Sequence, residues 1–294
     1  MGTNWSVRAV SPPRDPTAGI RAVLGGIVAE MSQWEPGSHL SRFNRSAPGR
    51  WQALPPDFAT VLDAALDVAR RSGGAFDPAI GALAELWGFG SAGKRNEPPG
   101  ADAIAAALAQ AGPDRIELDR PLLRARRLSR AALDFSGIAK GYAVDRVAGH
   151  LRAAGIRHFL VEIGGELSGA GLKPDGQPWW VDIEPPPGVR LPPVRAALHE
   201  LSVATSGDYR RGFTHAGRRY AHSLDPRTGY PIENGVRSVT VLHPSCMLAD
   251  AWATALTVLG PEAGITLAEA ERLAMLMITS DGELLSPALR EMLD

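Results

Sequence analysis

Apolar positions recur along this chain with two periods, and the alternation between them predicts its elements. Thr3, Trp5 and Val7 alternate with polar neighbours, so the first eleven residues read as a strand that Pro12 and Pro13 stop. Pro16 then opens a helix to about Trp34, with Ile20, Val23, Leu24, Ile27, Val28 and Met31 on one face. Residues 32–44, SQWEPGSHLSRFN, are rich in turn formers and read as a loop carrying Trp34 and Phe43; aromatics there either plug a core edge or stack on a flat ligand. A helix follows from Pro55 and Pro56 to Arg71, closed by Gly73 and Gly74. In GAFDPAIGALAELWGFG, residues 74–90, Asp77 before Pro78 reads as the cap of a helix running through Trp87. Residues 91–100 read as a surface loop and 101–111 as a short helix.

From Arg115 to Phe135 the pattern becomes β, with runs through Leu118, over 122–126 and over 131–135, which places Asp134 at the end of a strand. Val144, Val147 and Leu151 give the helix period from Ile138 onward, to a stop at Gly155. Residues 158–171, HFLVEIGGELSGAG, read as a strand entering a glycine pair, and further strands are predicted at 179–183, 196–204, 219–224 and 236–243. Thr205 to Asp208 read as a polar turn, and Pro226 and Gly229 mark a tight turn within AHSLDPRTGYP, residues 221–231. Ser245 caps a helix that ends at Gly260; a last helix, a strand over 273–279 and a short C-terminal segment complete the order. Strands meander between helices instead of alternating regularly with them, which points to an α+β fold. The break near residues 155–160 is the expected boundary if the chain comprises two similar halves, which are treated as one functional unit.

Composition narrows the function. The 294 residues, 45% of them apolar, suffice for a large core. With 31 basic against 32 acidic residues the net charge is −1, so no summed field favours nucleic acid or an anionic membrane. One cysteine, Cys246, excludes an internal disulfide and a cysteine-rich metal site. No apolar run reaches the length of a membrane span, and the first ten residues lack the basic-then-apolar order of a leader, so the expected location is the cytoplasm.

Three places carry candidate chemistry. In DFSGIAKGYAVDRV, residues 134–147, a carboxylate, a small-residue turn and a helix start follow one another; this suits a nucleotide or phosphate site, and it equally suits an Asp that caps the helix. Asp250 and Thr254 lie four residues apart on one helix face, a hard oxygen pair suited to Mg²⁺, or else a hydrogen-bonded pair on a solvated face. His222 stands three residues before Asp225 in the 221–231 turn, a spacing that structural pairs also use. Residues 158–171 lack the G-x-G-x-x-G spacing, and the chain has no P-loop motif.

Taken in order, eight segments resemble the FAD:protein FMN transferases, the ApbE family. They are MGTNWSV (1–7), MSQWEPGSHLSRFN (31–44), GAFDPAIGALAELWGFG (74–90), DFSGIAKGYAVDRV (134–147), VEIGGELSGAG (161–171), SVATSGDY (202–209), HSLDPRTGYP (222–231) and LADAWATALTVLG (248–260). The resemblance implies an internally duplicated α+β architecture related to the T-fold. It also implies a Mg²⁺-dependent enzyme that cleaves FAD, attaches FMN to a Thr or Ser hydroxyl of a target flavoprotein and releases AMP. By position, Met1, Trp34, Ala75, Phe76, Asp77, Asp134, Lys140 and Leu224 are expected to contact FAD. The Gly137 carbonyl with the Asp250 and Thr254 side chains is expected to hold the metal. The chain departs from the family where Phe135-Ser136 replaces a frequent Leu-Gly and Trp34 a frequent Tyr. His222 is the candidate base for the acceptor hydroxyl, because imidazole exchanges protons near neutral pH. The competing expectations are an FAD pyrophosphatase, with water as nucleophile, and a non-catalytic flavin carrier.

Overall fold

The computed structural model describes residues 2–12, 15–189, 192, 194–208 and 211–293. The chain forms two compact units, each assembled from separate segments. The first takes residues up to Gly26, Ile138–Gly207 and the chain from Gly235 onward; the second takes Ile27–Gly137 and Asp208–Asn234. Helices and antiparallel sheets occur in both, as the α+β expectation requires.

The first unit is built on a seven-stranded antiparallel sheet, in the order Trp5–Ala9, Phe159–Ile163, Glu166–Ala170, Leu201–Gly207, Val236–His243, Ala274–Thr279, Glu283–Leu285. Alternation along the strands sends side chains to both faces, and both are buried. On one face Leu160, Val203, Leu242, Leu276 and Ile278 pack with Trp179 and Leu198 of the hairpin Trp179–Ile183/Val194–Leu198. On the other lie the helices Ala139–Ala153, Cys246–Leu259 and Pro261–Ala270, over residues such as Val161, Val239 and Met277. The glycine pair 164–165 joins two strands: both residues have positive φ, 66° and 101°, as a tight two-residue hairpin requires, and the turn sets Glu166 opposite Ile163.

The second unit gathers Leu40, Phe43, Phe58, Leu62 and Phe135 into a core in which the Phe58 ring meets Phe135 edge-on at 5.1 Å. A second cluster joins Leu83, Trp87, Ile104 and Leu224. Its strands form a three-stranded sheet, Gln52–Ala53, Arg124–Arg127 and Ile116–Asp119, and a hairpin, Gly212–His215 with Arg218–Ala221.

Several elements differ from the sequence reading. The 32–44 loop contains the helix His39–Arg45, because Ser38 caps it by accepting from Ser41 N at 3.0 Å while Leu40 and Phe43 bury one face. Asp77 does not cap the following helix, which is Gly81–Leu86 with Ile80 at its N-cap. Residues 131–135 form no strand beyond a single bridge between Ala132 and Ile80. The strand expected over 196–204 is two strands, reversing at Glu200 with φ 53°, and the second runs on through the expected turn to Gly207. The 219–224 strand is shorter, Arg218–Ala221, and pairs with a neighbour that the pattern did not reveal.

Candidate active site

The helix Cys246–Leu259 carries the oxygen pair. Ser245 caps it, accepting from Leu248 N at 3.3 Å, and Asp145 of the helix Ala139–Ala153 supplies the rest of the N-terminal satisfaction. The Asp145 carboxylate accepts from Cys246 N at 2.8 Å, Met247 N at 3.0 Å and the Ser245 hydroxyl at 2.8 Å. The reciprocal contact is made by Asp250, whose Oδ2 accepts from Gly141 N, in the first turn of the other helix, at 3.0 Å. Two carboxylates thus staple the N-terminal turns of two adjacent helices. Gly141 makes the approach possible. A Cβ there would overlap the Cys246 carbonyl oxygen, lie 2.6 Å from the Cys246 carbonyl carbon and meet the Asp250 Cβ at 2.9 Å.

Asp250 is 5% exposed, which overturns the alternative of a solvated helix face. Nor does Asp250 bond to Thr254: among the described residues the Thr254 hydroxyl has no hydrogen-bond partner, whereas Thr257 one turn on bonds back to Ala253 O at 2.8 Å. Burial raises the Asp250 pKa, against the pull of Lys140 and of the Gly141 amide. Lys140 lies beside it, with its Nζ ion-paired to Glu166 Oε1. Burial lowers the Lys140 pKa, but the Asp250 and Glu166 carboxylates outweigh it and the net shift is upward. The Glu166 side chain is 2% exposed, and its second oxygen, Oε2, has no hydrogen-bond partner among the described residues. The buried Asp250 carboxylate and the Thr254 hydroxyl, which has no partner among the described residues, form an oxygen-only donor pair on one helix face, which fits a hard divalent cation. Glu166 and Asp145 were not singled out from sequence. The signal for Glu166 was its phase, since it shares a strand face with Ser168 and Ala170, which are buried.

The remaining expected site residues belong to the second unit, apart from Met1, which lies outside the described residues. Trp34 is 50% exposed in the 32–38 loop and makes no ring contact among the described residues, so it plugs no core; Phe43, fully buried, does. Ala75 and Phe76 are buried, so the segment has backbone to offer a ligand and no side chain at those two positions. Asp77 is buried too, and both its carboxylate oxygens are engaged, Oδ1 by Ala79 N at 2.8 Å and Oδ2 by Gly112 N at 2.9 Å. Burial pushes its pKa up to about 6 despite these two donors.

Asp134 stands in irregular backbone held by a side chain. Asn44 bonds both sides of Leu133, accepting from its N–H and donating to its carbonyl, each at 2.8 Å, and Asp134 N donates to Pro78 O at 2.8 Å. The Asp134 carboxylate accepts from Ser136 N at 2.6 Å, and Gln33 donates to the Ser136 hydroxyl at 3.3 Å. Burial raises its pKa over these bonds. Gly137 follows, partly exposed. Leu224 lies in the Trp87 cluster and bridges Pro231 across a turn in which Asp225 N bonds Tyr230 O at 2.8 Å. Asp225 holds Arg227 at 2.8 Å, and His222 meets the Phe89 ring edge-on with centroids 6.4 Å apart. No helix among the described residues is long and apolar enough to cross a membrane.

The sequence model of the ApbE family matches residues 1–277. The FAD:protein FMN transferase of Haemophilus influenzae is 38% identical over 265 residues, which cover 88% of this chain and 77% of that protein. Among solved structures, the apo flavinyl transferase ApbE of Pseudomonas stutzeri superposes with a TM-score of 0.91 at 37% identity, over 99% of this chain and 93% of that one. The ApbE protein of Thermotoga maritima gives 0.88 at 30% identity, over 99% and 96%. With its capped helix pair, its buried oxygen donors and matches of this extent, the chain belongs to the ApbE family.

Proposed function

We propose that this protein is an FAD:protein FMN transferase that works with a divalent cation, Mg²⁺ in the first instance. The observation that carries the reading is the buried Asp250 carboxylate beside the unpartnered Thr254 hydroxyl and the Lys140 ammonium. The family and the named activity of relatives such as the Haemophilus influenzae enzyme supply its substrate, FAD, and its acceptor, a protein hydroxyl.

In the reaction the oxygen of a Thr or Ser hydroxyl forms a bond to the FMN phosphorus, the phosphoanhydride bond to the adenylate half breaks, and AMP leaves with the bond's electrons. Asp250 and Thr254, with the Gly137 carbonyl, are assigned to the cation, whose contribution is to neutralise charge on the transferring phosphoryl group. Lys140 brings a second positive charge to the phosphates. His222 is assigned to take the acceptor's proton, and Trp34 to stack on a ring of the dinucleotide. Asp134, Leu224 and the 75–77 segment are assigned to FAD contacts.

The test is incubation with FAD, Mg²⁺ and candidate flavoprotein domains. AMP together with an acceptor heavier by one FMN phosphoryl unit supports transfer. AMP with free FMN and no adduct identifies a hydrolase, and FAD binding without any AMP identifies a carrier.

A further inference from the structure

The environment of Lys140 assigns a task to a residue that the reaction scheme leaves unused. Lys140 is a flexible side chain, 33% exposed, whose ammonium donates a hydrogen bond to Glu166 Oε1. It has two anionic neighbours, Asp250 and Glu166. Asp250 already accepts from Gly141 N, and its remaining capacity is the kind a divalent cation takes. A cation there satisfies the Asp250 charge and repels the ammonium beside it. Glu166 then remains as the only one of the two carboxylates able to hold Lys140. It is suited to that: it is rooted on a central strand, 2% exposed, and paired to Lys140 through Oε1 while Oε2 has no competing partner among the described residues.

Resting on the proposed transferase reading, we infer that Glu166 is a positioning residue, which anchors the Lys140 ammonium beside the cation so that it stays available to the phosphates of FAD. Glu166 touches neither substrate nor metal in this scheme; it acts through Lys140.

Two measurements test this. The first needs no FAD. Lysine acylation by a succinimidyl ester is mapped by peptide mass spectrometry, with Lys94 and Lys173 as internal references. With Mg²⁺ present, Lys140 is expected to be protected in the wild-type protein and to react several-fold faster, relative to the references, in Glu166→Gln. Equal reactivity of Lys140 in the two proteins overturns the inference. The second is a double-mutant cycle in FAD affinity, read from flavin fluorescence with Mg²⁺ and no acceptor. Glu166→Gln is expected to weaken FAD binding roughly 10- to 100-fold, the usual effect of losing an outer partner. In a Lys140→Met background the same change is expected to cost less than about twofold, because the contact it removes is already gone. A loss of the same size in both backgrounds, or no loss in either, overturns the inference. Failure of the wild-type protein to bind FAD, with Lys140 still protected through Glu166, refutes the transferase reading and leaves the anchoring supported.

Discussion

Replacing Gly141 by alanine tests the helix contact on which the proposed cation site depends. The new Cβ would lie 2.6 Å from the Cys246 carbonyl carbon and 2.9 Å from the Asp250 Cβ. These are backbone and near-backbone atoms that cannot rotate away, so the helices Ala139–Ala153 and Cys246–Leu259 must separate. Overpacking of this kind costs about 1–3 kcal/mol. Separation also stretches the bond from Gly141 N to Asp250 Oδ2, a hydrogen bond to a charged group worth about 1.5–3 kcal/mol. The gain in helix propensity returns up to about 1 kcal/mol. The balance is a loss of roughly 2–4 kcal/mol, or a fall in Tm of order 5–15 °C at this chain length. Gly149 is the internal control. It lies on the same helix with nothing within 4 Å of an added Cβ, so Gly149→Ala should stabilise by about 0.5–1 kcal/mol. Thermal unfolding of the two variants beside wild type decides the matter. If Gly141→Ala melts at or above the wild-type temperature, as Gly149→Ala should, the close approach of the two helices is wrong.

Asp77 should make stability depend on pH. Its folded pKa of about 6 lies above the ordinary 3.8, so between those values the unfolded chain gives up a proton that the folded one keeps. Its contribution is therefore fully present below pH 3.8 and is lost as pH rises through 6, at about 1.4 kcal/mol per unit inside the window. Urea midpoints at several pH values should show wild type losing ground to Asp77→Asn from pH 4 to 6 and no further change above; a constant difference contradicts this. Asn44→Ala strips the nearly inaccessible Leu133 of partners for both its N–H and its carbonyl, and should cost about 2–4 kcal/mol in urea unfolding while weakening FAD binding at the adjoining Asp134. Trp34→Ala removes a half-exposed ring without core contacts, so stability should stay within about 0.5 kcal/mol. FAD affinity measured by fluorescence should fall roughly tenfold, the scale of one lost stacking contact.

What the sequence made legible was local. Ser245, the apolar run to Leu259 and Gly260 marked the helix ends, and the four-residue spacing put Asp250 and Thr254 on one face. The same spacing could not say whether that face was buried. Ser38 followed by Leu40 and Phe43 carried a helix signal in the 32–44 segment, masked there by its turn formers. Phe135 and Leu133 read as strand because their burial is real, but the side chain that satisfies the Leu133 backbone comes from far away in the chain. Asn44 reaches Leu133 across 89 positions, and Gly141 meets Asp250 across 109. Glu166 was hidden for the same reason: its partner Lys140 lies 26 positions earlier, on a different element, and a charged residue after a glycine pair reads as part of a turn.

The most direct test of the account is the mass of an acceptor domain after incubation with FAD and Mg²⁺, using wild-type protein and Asp250→Asn side by side. The account predicts an FMN adduct with wild type that is absent when a chelator removes the metal, and no adduct with Asp250→Asn. An adduct formed by Asp250→Asn at the wild-type rate, or by wild type in excess chelator, would contradict it.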